Sequence, residues 1–461
     1  MGGTNGGSAL PTHDQSQDDF AELAAMMRRG TAPVDPSSVV DSELRHVRRR
    51  RGLIIAATVV VVALAAGGSY VGWALTAPLG APVLTMREAT EVAVPAAAVT
   101  AIPGDGASAI SIVGADDYLG ESASGIWATG GTDDPRSIAS ITKLITALVI
   151  LEERPLAGAD DPGPTITFDK ADHDLYDDYY VLGATVAAMP TGSSLSQHDA
   201  LATMLIPSAS NYAEAVSTWA FGSQGAFLGA TRQWLAANGL TGTTIVEPSG
   251  ISARNTSTPT DLIAIGRLAA ANPAIAKIAA TGSLSLPGLG SMSNTNTLLG
   301  GRITGLKTGN LGQGTHNLLY TATLDVGVGQ PLSVTGVVLG GHSGRTVGAS
   351  VVALLDSIEA GFHEVPVSTS GEEVGTFSTA WGSTARVIVA VDASILTWSD
   401  SPVTTTLQTT TPSAYRSGEI VGTLTFTAGP TVVTADVAID GDIDPPTAWW
   451  RLTHPAELGA R

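Results

Sequence analysis

The sequence predicts a mixed α/β protein with one N-terminal transmembrane helix, and three observations lead to this fold class. Residues 52–76 form an apolar run that contains no charged side chain. From about residue 107, segments with the apolar spacing of strands alternate with segments of helical spacing. From roughly residue 364, the chain is rich in Thr, Val and Gly without a helical period, which predicts a C-terminal β-rich domain.

The apolar run is long enough to cross a bilayer. As a helix, its 25 residues span roughly 37 Å at about 1.5 Å per residue. Four arginines, Arg48 to Arg51, directly precede it, and cationic residues flank the cytoplasmic end of a span. A cleaved signal peptide is the alternative, but the 51 residues before the run are too many. We therefore expect a single-pass plasma-membrane protein with a cytoplasmic N-terminus and an extracytoplasmic remainder.

The distribution of charge supports two compartments. The chain has 461 residues, of which 42 are acidic and 23 basic, and a net charge of −19. Residues 1–51 carry seven of each, so the whole acidic excess lies beyond Arg51. Such a balance excludes a nucleic-acid partner, since a polyanion is repelled. The lack of cysteine excludes disulfides, thiol catalysis and cysteine-held metals.

The chain divides into five predicted regions. Residues 1–51 are a disordered cytoplasmic tail in which only 19–29 has a helical pattern, and 52–76 are the membrane helix. Residues 77–104 are a linker and domain entry, 105–363 a catalytic domain, and 364–461 the β-rich domain. Within the catalytic domain the apolar spacing predicts strands at 108–113, within 120–134 and as a pair over 316–341, and helices at 140–153, 196–205, 212–220, 261–271 and 351–359. Ser196 is the expected N-cap of the second of these helices, with Asp199 in its first turn.

The first chemical signal is the S-x-x-K spacing of Ser140 and Lys143. Residues three apart share a helix face, so the hydroxyl and the amine are expected side by side. A lysine that is buried or lies near another cation can be neutral near pH 7 and accept the serine proton. The pattern alone is weak, but the chain has only four lysines against nineteen arginines. In a chain that so strongly prefers arginine, lysine is expected where a compact amine with an adjustable pKa is needed. Lys143 is therefore a candidate for such a position.

Two further clusters follow. Ser208, Ser210 and Asn211 form a short polar group after an apolar segment. Lys307, Thr308 and Gly309 precede the predicted strand pair, where they offer a cation, a hydroxyl and free backbone groups to an extended peptide with a terminal carboxylate. Each cluster alone is compatible with an ordinary turn or a solvated edge.

Together the three motifs resemble the low-molecular-mass penicillin-binding proteins, the serine-type D-alanyl-D-alanine carboxypeptidases. The similarity covers roughly residues 105–362 and includes Glu247-Pro248-Ser249-Gly250-Ile251. It implies the penicillin-binding and β-lactamase-like transpeptidase fold, with an antiparallel sheet flanked by helices and an all-helical subdomain. The β-rich segment resembles the C-terminal β domain of this group. The family implies substrates that are peptidoglycan stem peptides ending in D-Ala-D-Ala, β-lactams as covalent inhibitors, and no cofactor.

The resemblance also implies residue roles. Ser140 is the expected nucleophile, Lys143 its proton acceptor and Ser208 part of the proton relay to the leaving D-alanine. Lys307 with Thr308 is expected to hold the substrate carboxylate beside Gly309. Backbone N–H groups of Ser140 and Asn310 are the expected oxyanion hole.

One departure from the family leaves an alternative open. Family members usually carry Asn two residues after the serine of the second motif, whereas this chain has Ser210 there and Asn211 next. Either side chain is a candidate for the Asn role. A catalytically weak or inactive homologue that serves as an envelope scaffold or sensor is therefore the alternative function. A class A β-lactamase is disfavoured, because no E-x-x-L-N string occurs and Glu247 is expected to end a strand.

No metal site is predicted. The eight histidines show no H-x-H or H-x-x-x-H spacing. An acidic run lacks the Asp-x-Asp-x-Asp-Gly order of a calcium loop and is expected to be a solvated loop; it consists of Asp169, Asp172, Asp174, Asp177 and Asp178.

Overall fold

The computed structural model describes residues 36–87, 91–312 and 314–459. Of the disordered tail predicted for residues 1–51, residues 1–35, including the helical pattern at 19–29, lie outside these residues. The described chain forms two compact units. The first comprises residues 36–82, 379–383 and 444–459, and the second comprises the described residues of 83–378 together with 384–443.

The α-helices, in chain order, are α1 (Pro36–Thr76), α2 (Asp116–Leu119), α3 (Thr142–Glu153), α4 (Lys170–Val181), α5 (Gln197–Leu205), α6 (Ser210–Phe221), α7 (Gln224–Ala237), α8 (Pro259–Ala271), α9 (Pro273–Ala280), α10 (Gly344–Glu359) and α11 (Ala448–Thr453). Short 3-10 helices cover Ala139–Ile141 and Pro455–Glu457.

The strands are β1 (Val83–Met86), β2 (Ala107–Val113), β3 (Ala128–Gly130), β4 (Arg136–Ser137), β5 (Thr165–Thr167), β6 (Ser194–Ser196), β7 (Thr256–Ser257), β8 (Ser283–Leu286), β9 (Gly290–Ser293), β10 (Ile303–Gly309), β11 (His316–Leu324), β12 (Leu332–Gly341), β13 (Phe362–Ser368), β14 (Glu373–Ser378), β15 (Thr384–Val389), β16 (Ala393–Trp398), β17 (Thr404–Thr409), β18 (Ile420–Ala428) and β19 (Thr431–Asp440).

Helix α1 contains the predicted span but begins sixteen residues before it, at Pro36 rather than residue 52. Proline suits a first helical position because its φ is already fixed near the helical value. No Gly or Pro interrupts residues 37–51, so the helix continues into the apolar run. Residues His46–Thr76 are long and apolar enough to cross a membrane, and the most apolar window of this segment has no buried residue.

The catalytic domain is built on a five-stranded antiparallel sheet in the order β10, β11, β12, β2, β3. Successive residues along a strand point to opposite faces of the sheet, and each face packs against its own hydrophobic core. Leu319 and Val337 belong to the core that contains α3 and α8, whereas Leu318 and Val338 belong to the core that contains α10. This period of two means that both faces of the sheet are covered by helices, as expected when both faces are apolar.

Helix α3 lies at the centre of the helical part of the domain. Its residues from Thr142 to Leu151 are all buried, and α5, α6, α7 and α8 pack against it. Ser196 is the N-cap of α5, and its side chain accepts from the Asp199 N–H at 3.0 Å, as predicted. The nucleophile segment is thus held on a fully enclosed helix.

The β-rich region is a six-stranded sheet in the order β1, β14, β15, β19, β18, β17, beside a two-stranded β13–β16 ladder. Strand β1 lies in the predicted linker 77–104, yet it pairs with β14, with Leu84 opposite Phe377. The predicted α/β fold class, with an antiparallel sheet flanked by helices, a C-terminal β-rich region and one apolar N-terminal helix, is confirmed.

The acidic run is helical, and the prediction of a loop is wrong. Asp169 is the N-cap of α4, and it forms a reciprocal capping box with Asp172. Lys170 and Asp174, four residues apart, form an ion pair at 2.8 Å. These local interactions stabilise a helix whose many aspartates have a low intrinsic helix propensity.

Candidate active site

Ser140 and Lys143 meet as their spacing predicts. Ser140 lies in the 3-10 turn that leads into α3, and Lys143 lies in the first turn of α3. Lys143 Nζ donates to Ser140 Oγ at 3.0 Å. Ala139, immediately before the serine, has a φ of +48°, a conformation that residues with a side chain rarely adopt. Such backbone strain concentrates at functional sites.

Lys143 is fully buried and has three oxygen partners. Besides Ser140, its Nζ donates to Ser210 Oγ at 3.1 Å and to the Ser249 carbonyl at 2.6 Å. Burial disfavours the charged amine and lowers the pKa of Lys143 to about 7, while the negative charge of Glu247 opposes this shift. An unprotonated amine is therefore accessible next to the serine hydroxyl near neutral pH.

The two candidates of the second motif point in different directions. Ser210, at the first position of α6, directs its hydroxyl to Lys143. Asn211 is completely buried, and its side chain accepts from the Ala187 N–H at 3.1 Å and donates to the Ala187 carbonyl at 2.8 Å. In this geometry Ser210 lies beside Lys143. The hydrogen bonds of Asn211 link the 182–190 segment to α6.

Lys307 and Thr308 converge on a residue that the sequence did not single out, Thr295. Lys307 Nζ donates to Thr295 Oγ1 at 3.2 Å, and the Thr308 hydroxyl donates to the same oxygen at 2.6 Å. The Thr295 N–H donates to the carbonyl of Ile206, next to the second motif. Burial, and secondarily the charge of Lys143, places the pKa of Lys307 well below its ordinary value. The two lysines therefore share one electrostatic environment.

Gly309 is required by a close backbone approach. A Cβ at this position would lie 2.5 Å from the carbonyl oxygen of Ile138, two residues before the nucleophile. The absence of a side chain lets β10 lie directly against the 3-10 turn that carries Ser140. The end of the strand and the nucleophile are thereby fixed relative to each other.

These residues surround one cavity of about 650 Å³. Six of the nine predicted site residues line it, namely Ser140, Ser208, Ser210, Thr308, Gly309 and Asn310. Ser208, with a φ of +72°, is a second non-glycine residue in the left-handed region. Lys143 and Lys307 are buried in contact with lining residues, whereas Asn211 is not among the lining residues.

A turn built around Glu247 holds the third oxygen partner of Lys143, and the expectation that Glu247 ends a strand is wrong. Its carboxylate accepts from the N–H groups of Ser249 and Gly250, each at 2.7 Å, and from Asn255 Nδ2 at 2.8 Å. A carboxylate followed by Pro-Ser-Gly has backbone N–H groups within reach, which favours a turn over a strand. The acid thus fixes the loop whose Ser249 carbonyl contacts the lysine.

Across the described residues, no three or more His, Asp or Glu side chains are grouped so that they hold a metal ion. The groups next to Ser140 and at the end of β10 are hydroxyls, two buried amines and backbone groups. This set is suited to acyl transfer through a serine nucleophile.

Comparison with known proteins gives the family of this domain. Residues 118–342 match the family model described as D-alanyl-D-alanine carboxypeptidase. Among solved structures, penicillin-binding protein 6B from Escherichia coli is 18% identical with a TM-score of 0.51, covering 76% of this chain and 98% of that one. Penicillin-binding protein 5 from Haemophilus influenzae is 17% identical with a TM-score of 0.48, covering 74% and 98%. No curated protein matches the chain. The predicted resemblance is confirmed, and the enzyme is a serine-type D-Ala-D-Ala carboxypeptidase, a hydrolase.

Proposed function

We propose that this serine-type D-Ala-D-Ala carboxypeptidase is membrane-anchored and removes the terminal D-alanine from peptidoglycan stem peptides through an acyl-enzyme on Ser140. The observation that carries the proposal is the 3.0 Å contact between Ser140 Oγ and the buried Lys143 amine, inside the domain that matches the carboxypeptidase family. β-Lactams are the expected covalent inhibitors, since they acylate the same nucleophile.

Acylation begins with a proton transfer. The neutral Lys143 amine takes the Ser140 proton, and the serine oxygen attacks the carbonyl carbon of the penultimate D-alanine. Backbone N–H groups of Ser140 and Asn310 stabilise the negative charge on the carbonyl oxygen. The C–N bond to the last residue then breaks, and the leaving amine receives a proton through the second motif. Water hydrolyses the ester and frees a peptide shortened by one residue.

We assign the relay position beside the lysine to Ser210 rather than Asn211. The Ser210 hydroxyl lies 3.1 Å from Lys143 Nζ, and a hydroxyl both donates and accepts a proton. Ser208 lines the same cavity and is the second hydroxyl available to the leaving group. Both the oxygen and the NH2 group of the Asn211 amide are hydrogen-bonded to the backbone of Ala187.

The substrate carboxylate is assigned to the Lys307 and Thr308 end of the cavity. The Lys307 amine is electrostatically coupled to Lys143, and an arriving carboxylate stabilises its protonated form, so anion binding and protonation of Lys307 are coupled. Thr308 and Thr295 supply hydroxyl donors to the same group. The edge position of β10 leaves backbone groups to pair with an extended peptide.

The anchor is assigned to α1. Its apolar segment is unburied, and Arg48 to Arg51 precede it. The arginine flank supports a cytoplasmic N-terminus and an extracytoplasmic catalytic domain, on the side where peptidoglycan is found.

The decisive experiment measures D-alanine released from a peptide ending in D-Ala-D-Ala by the detergent-solubilised full chain. The wild type is expected to turn over repeatedly, and Ser140→Ala is expected to release none. The alternative function, an inactive scaffold or sensor, is motivated by Ser210 in place of the usual Asn. Acylation by penicillin without any release of D-alanine from the peptide would favour that alternative.

A further inference from the structure

Five aromatic side chains lie on the last turns of α1, on α11 and on the turn 379–383, and we call them the aromatic collar. They are Tyr70, Trp73, Trp381, Trp449 and Trp450. The rings of Tyr70 and Trp73 are 6.1 Å apart, and those of Trp381 and Trp450 meet edge to face at 5.9 Å. Trp450 also packs against Ala74 and Ala77 at the end of α1, so α1, α11 and the turn 379–383 are in contact within one compact unit.

Polar contacts fasten α11 to the end of α1. Arg451 Nη1 donates to the carbonyls of Ala77 at 2.8 Å and Ala74 at 3.3 Å, and the Tyr70 hydroxyl donates to the Leu452 carbonyl at 2.7 Å. The last carbonyls of a helix have no partner within the helix, and a cation there also complements the helix dipole. Where water is scarce, an unpaired carbonyl is strongly unfavourable. Arg451 therefore supplies the contact that this helix end lacks.

The depth of these residues follows from the helix rise. A hydrocarbon core of about 30 Å corresponds to about 20 helical residues. Counted from Gly52, directly after the arginines, the outer boundary falls near residue 71. Tyr70, Trp73 and Ala74 therefore lie at the level of the outer lipid headgroups, and the contacts to α11 hold its residues at the same level.

The collar presents large apolar surface that no described part of the chain covers. Trp449 is 74% exposed, Trp73 46% and Tyr70 37%. Tyr70 and Trp73 lie on α1 itself, whose most apolar window has no buried residue. Tyrosine and tryptophan combine an apolar ring with a polar group and are enriched where lipid meets water. Continuity with the span and this composition together favour lipid as the occupant.

We infer that the aromatic collar is a lipid-binding surface. Trp449, Trp73 and Tyr70 lie among the headgroups of the outer leaflet, and Arg451 holds α11 there by capping α1. The inference rests on the membrane-spanning role of α1 in the proposed function. It adds a second membrane contact, made by a segment more than 370 residues later in the chain.

The absence of cysteine from the chain gives a direct test. Trp449→Cys carries a single thiol for a nitroxide label in the full chain, reconstituted into phosphatidylethanolamine and phosphatidylglycerol vesicles. Accessibility to oxygen, which partitions into lipid, is compared with accessibility to a water-soluble nickel chelate. Trp73→Cys is the interface standard, Leu64→Cys the deep standard, and labelled glutathione in the buffer the aqueous standard.

The label at position 449 is expected to match the one at position 73, between the deep and aqueous standards. A value equal to the aqueous standard overturns the inference, and shielding from both reagents overturns it in favour of a protein partner. An aqueous value at position 64 would instead contradict the anchoring in the proposed function. Arg451→Gln in the Trp449→Cys background is expected to shift the signal toward water, and an unchanged signal refutes the role given to Arg451.

Discussion

The pH dependence of acylation follows directly from the burial of Lys143. Its pKa of about 7 means that the amine is about 9% neutral at pH 6 and about 91% neutral at pH 8. If the neutral amine takes the Ser140 proton, the acylation rate rises with pH through this range. The expected gain between pH 6 and pH 8 is about tenfold.

Glu247→Gln is the perturbation that tests the electrostatic cause of this pKa. The Glu247 charge raises the pKa of Lys143, so its removal lowers that pKa, and the rising limb moves to lower pH. Both carboxylate oxygens accept from N–H groups of the turn, so the glutamine NH2 faces donors and a lower plateau rate is expected as well. Glu214→Gln is the matched control, because Glu214 accepts from Tyr179 and its charge is not among the causes of the Lys143 shift.

The assay is the initial rate of covalent labelling by a fluorescent penicillin, measured from about pH 5.5 to about pH 9. The wild type and Glu214→Gln are expected to share a midpoint near pH 7, and Glu247→Gln is expected to reach half its plateau at lower pH. A rate that is flat between pH 6 and pH 8, or falls as pH rises, would refute the assignment of Lys143 as base. If the plateau rate of Glu247→Gln falls but the midpoint pH does not change, Glu247 acts by holding the turn and not through its charge.

Other variants test the remaining parts of the site. Ser210→Ala removes a partner of Lys143 and is expected to slow D-alanine release by about 10²-fold or more, while Ser210→Asn retains a larger share of activity. Asn211→Ala leaves the Ala187 backbone groups unpaired and is expected to lower the free energy of unfolding by about 1–3 kcal/mol in urea titration. Thr295→Val removes the shared oxygen of Lys307 and Thr308, so KM for the peptide is expected to rise more than kcat falls; an unchanged KM contradicts the carboxylate assignment. Gly309→Ala drives a Cβ against the Ile138 carbonyl and is expected to slow penicillin labelling sharply, and labelling at the wild-type rate would show that the close approach is unimportant.

Contacts between residues that lie close together in the chain could be predicted from the sequence. The three-residue spacing of Ser140 and Lys143 places them on one helix face whatever the rest of the fold does. Ser196 and Asp199 likewise define a helix start by themselves. Features of this kind depend on residues within one turn of each other, so the sequence alone is sufficient.

The hydrogen-bond partners of Lys143 and Lys307 could not be predicted from the sequence, because they lie in segments that are distant along the chain. Ser249 lies 106 residues from Lys143, and Thr295 reaches Lys307 from a separate loop. No motif marks Thr295, and the Pro248-Ser249-Gly250 segment included in the resemblance gives no role to the Ser249 carbonyl. The choice between Ser210 and Asn211 has the same origin: consecutive helical residues point about 100° apart, and only the packing of α6 decides which of them meets Lys143.

The predicted boundaries of elements were wrong where residues of low helix propensity stand at the beginning of a helix. Helix α10 was predicted from residue 351 but begins at Gly344, with a capping box between Ser343 and Thr346. Glycines at 344 and 348 obscure its first two turns, because glycine has a low helix propensity. Strand β1 was predicted as linker, because its partner β14 lies about 290 residues further along the chain.

The central claim, an acyl-enzyme on Ser140 formed with Lys143 as base, is tested most directly by peptide mapping after reaction with penicillin. Mass spectrometry of the digested full chain is expected to find the adduct on the peptide containing Ser140, and to find none in Ser140→Ala. Lys143→Ala is expected to keep Ser140 but lose nearly all of the adduct. An adduct on any other residue, or full labelling of Lys143→Ala, would contradict the account.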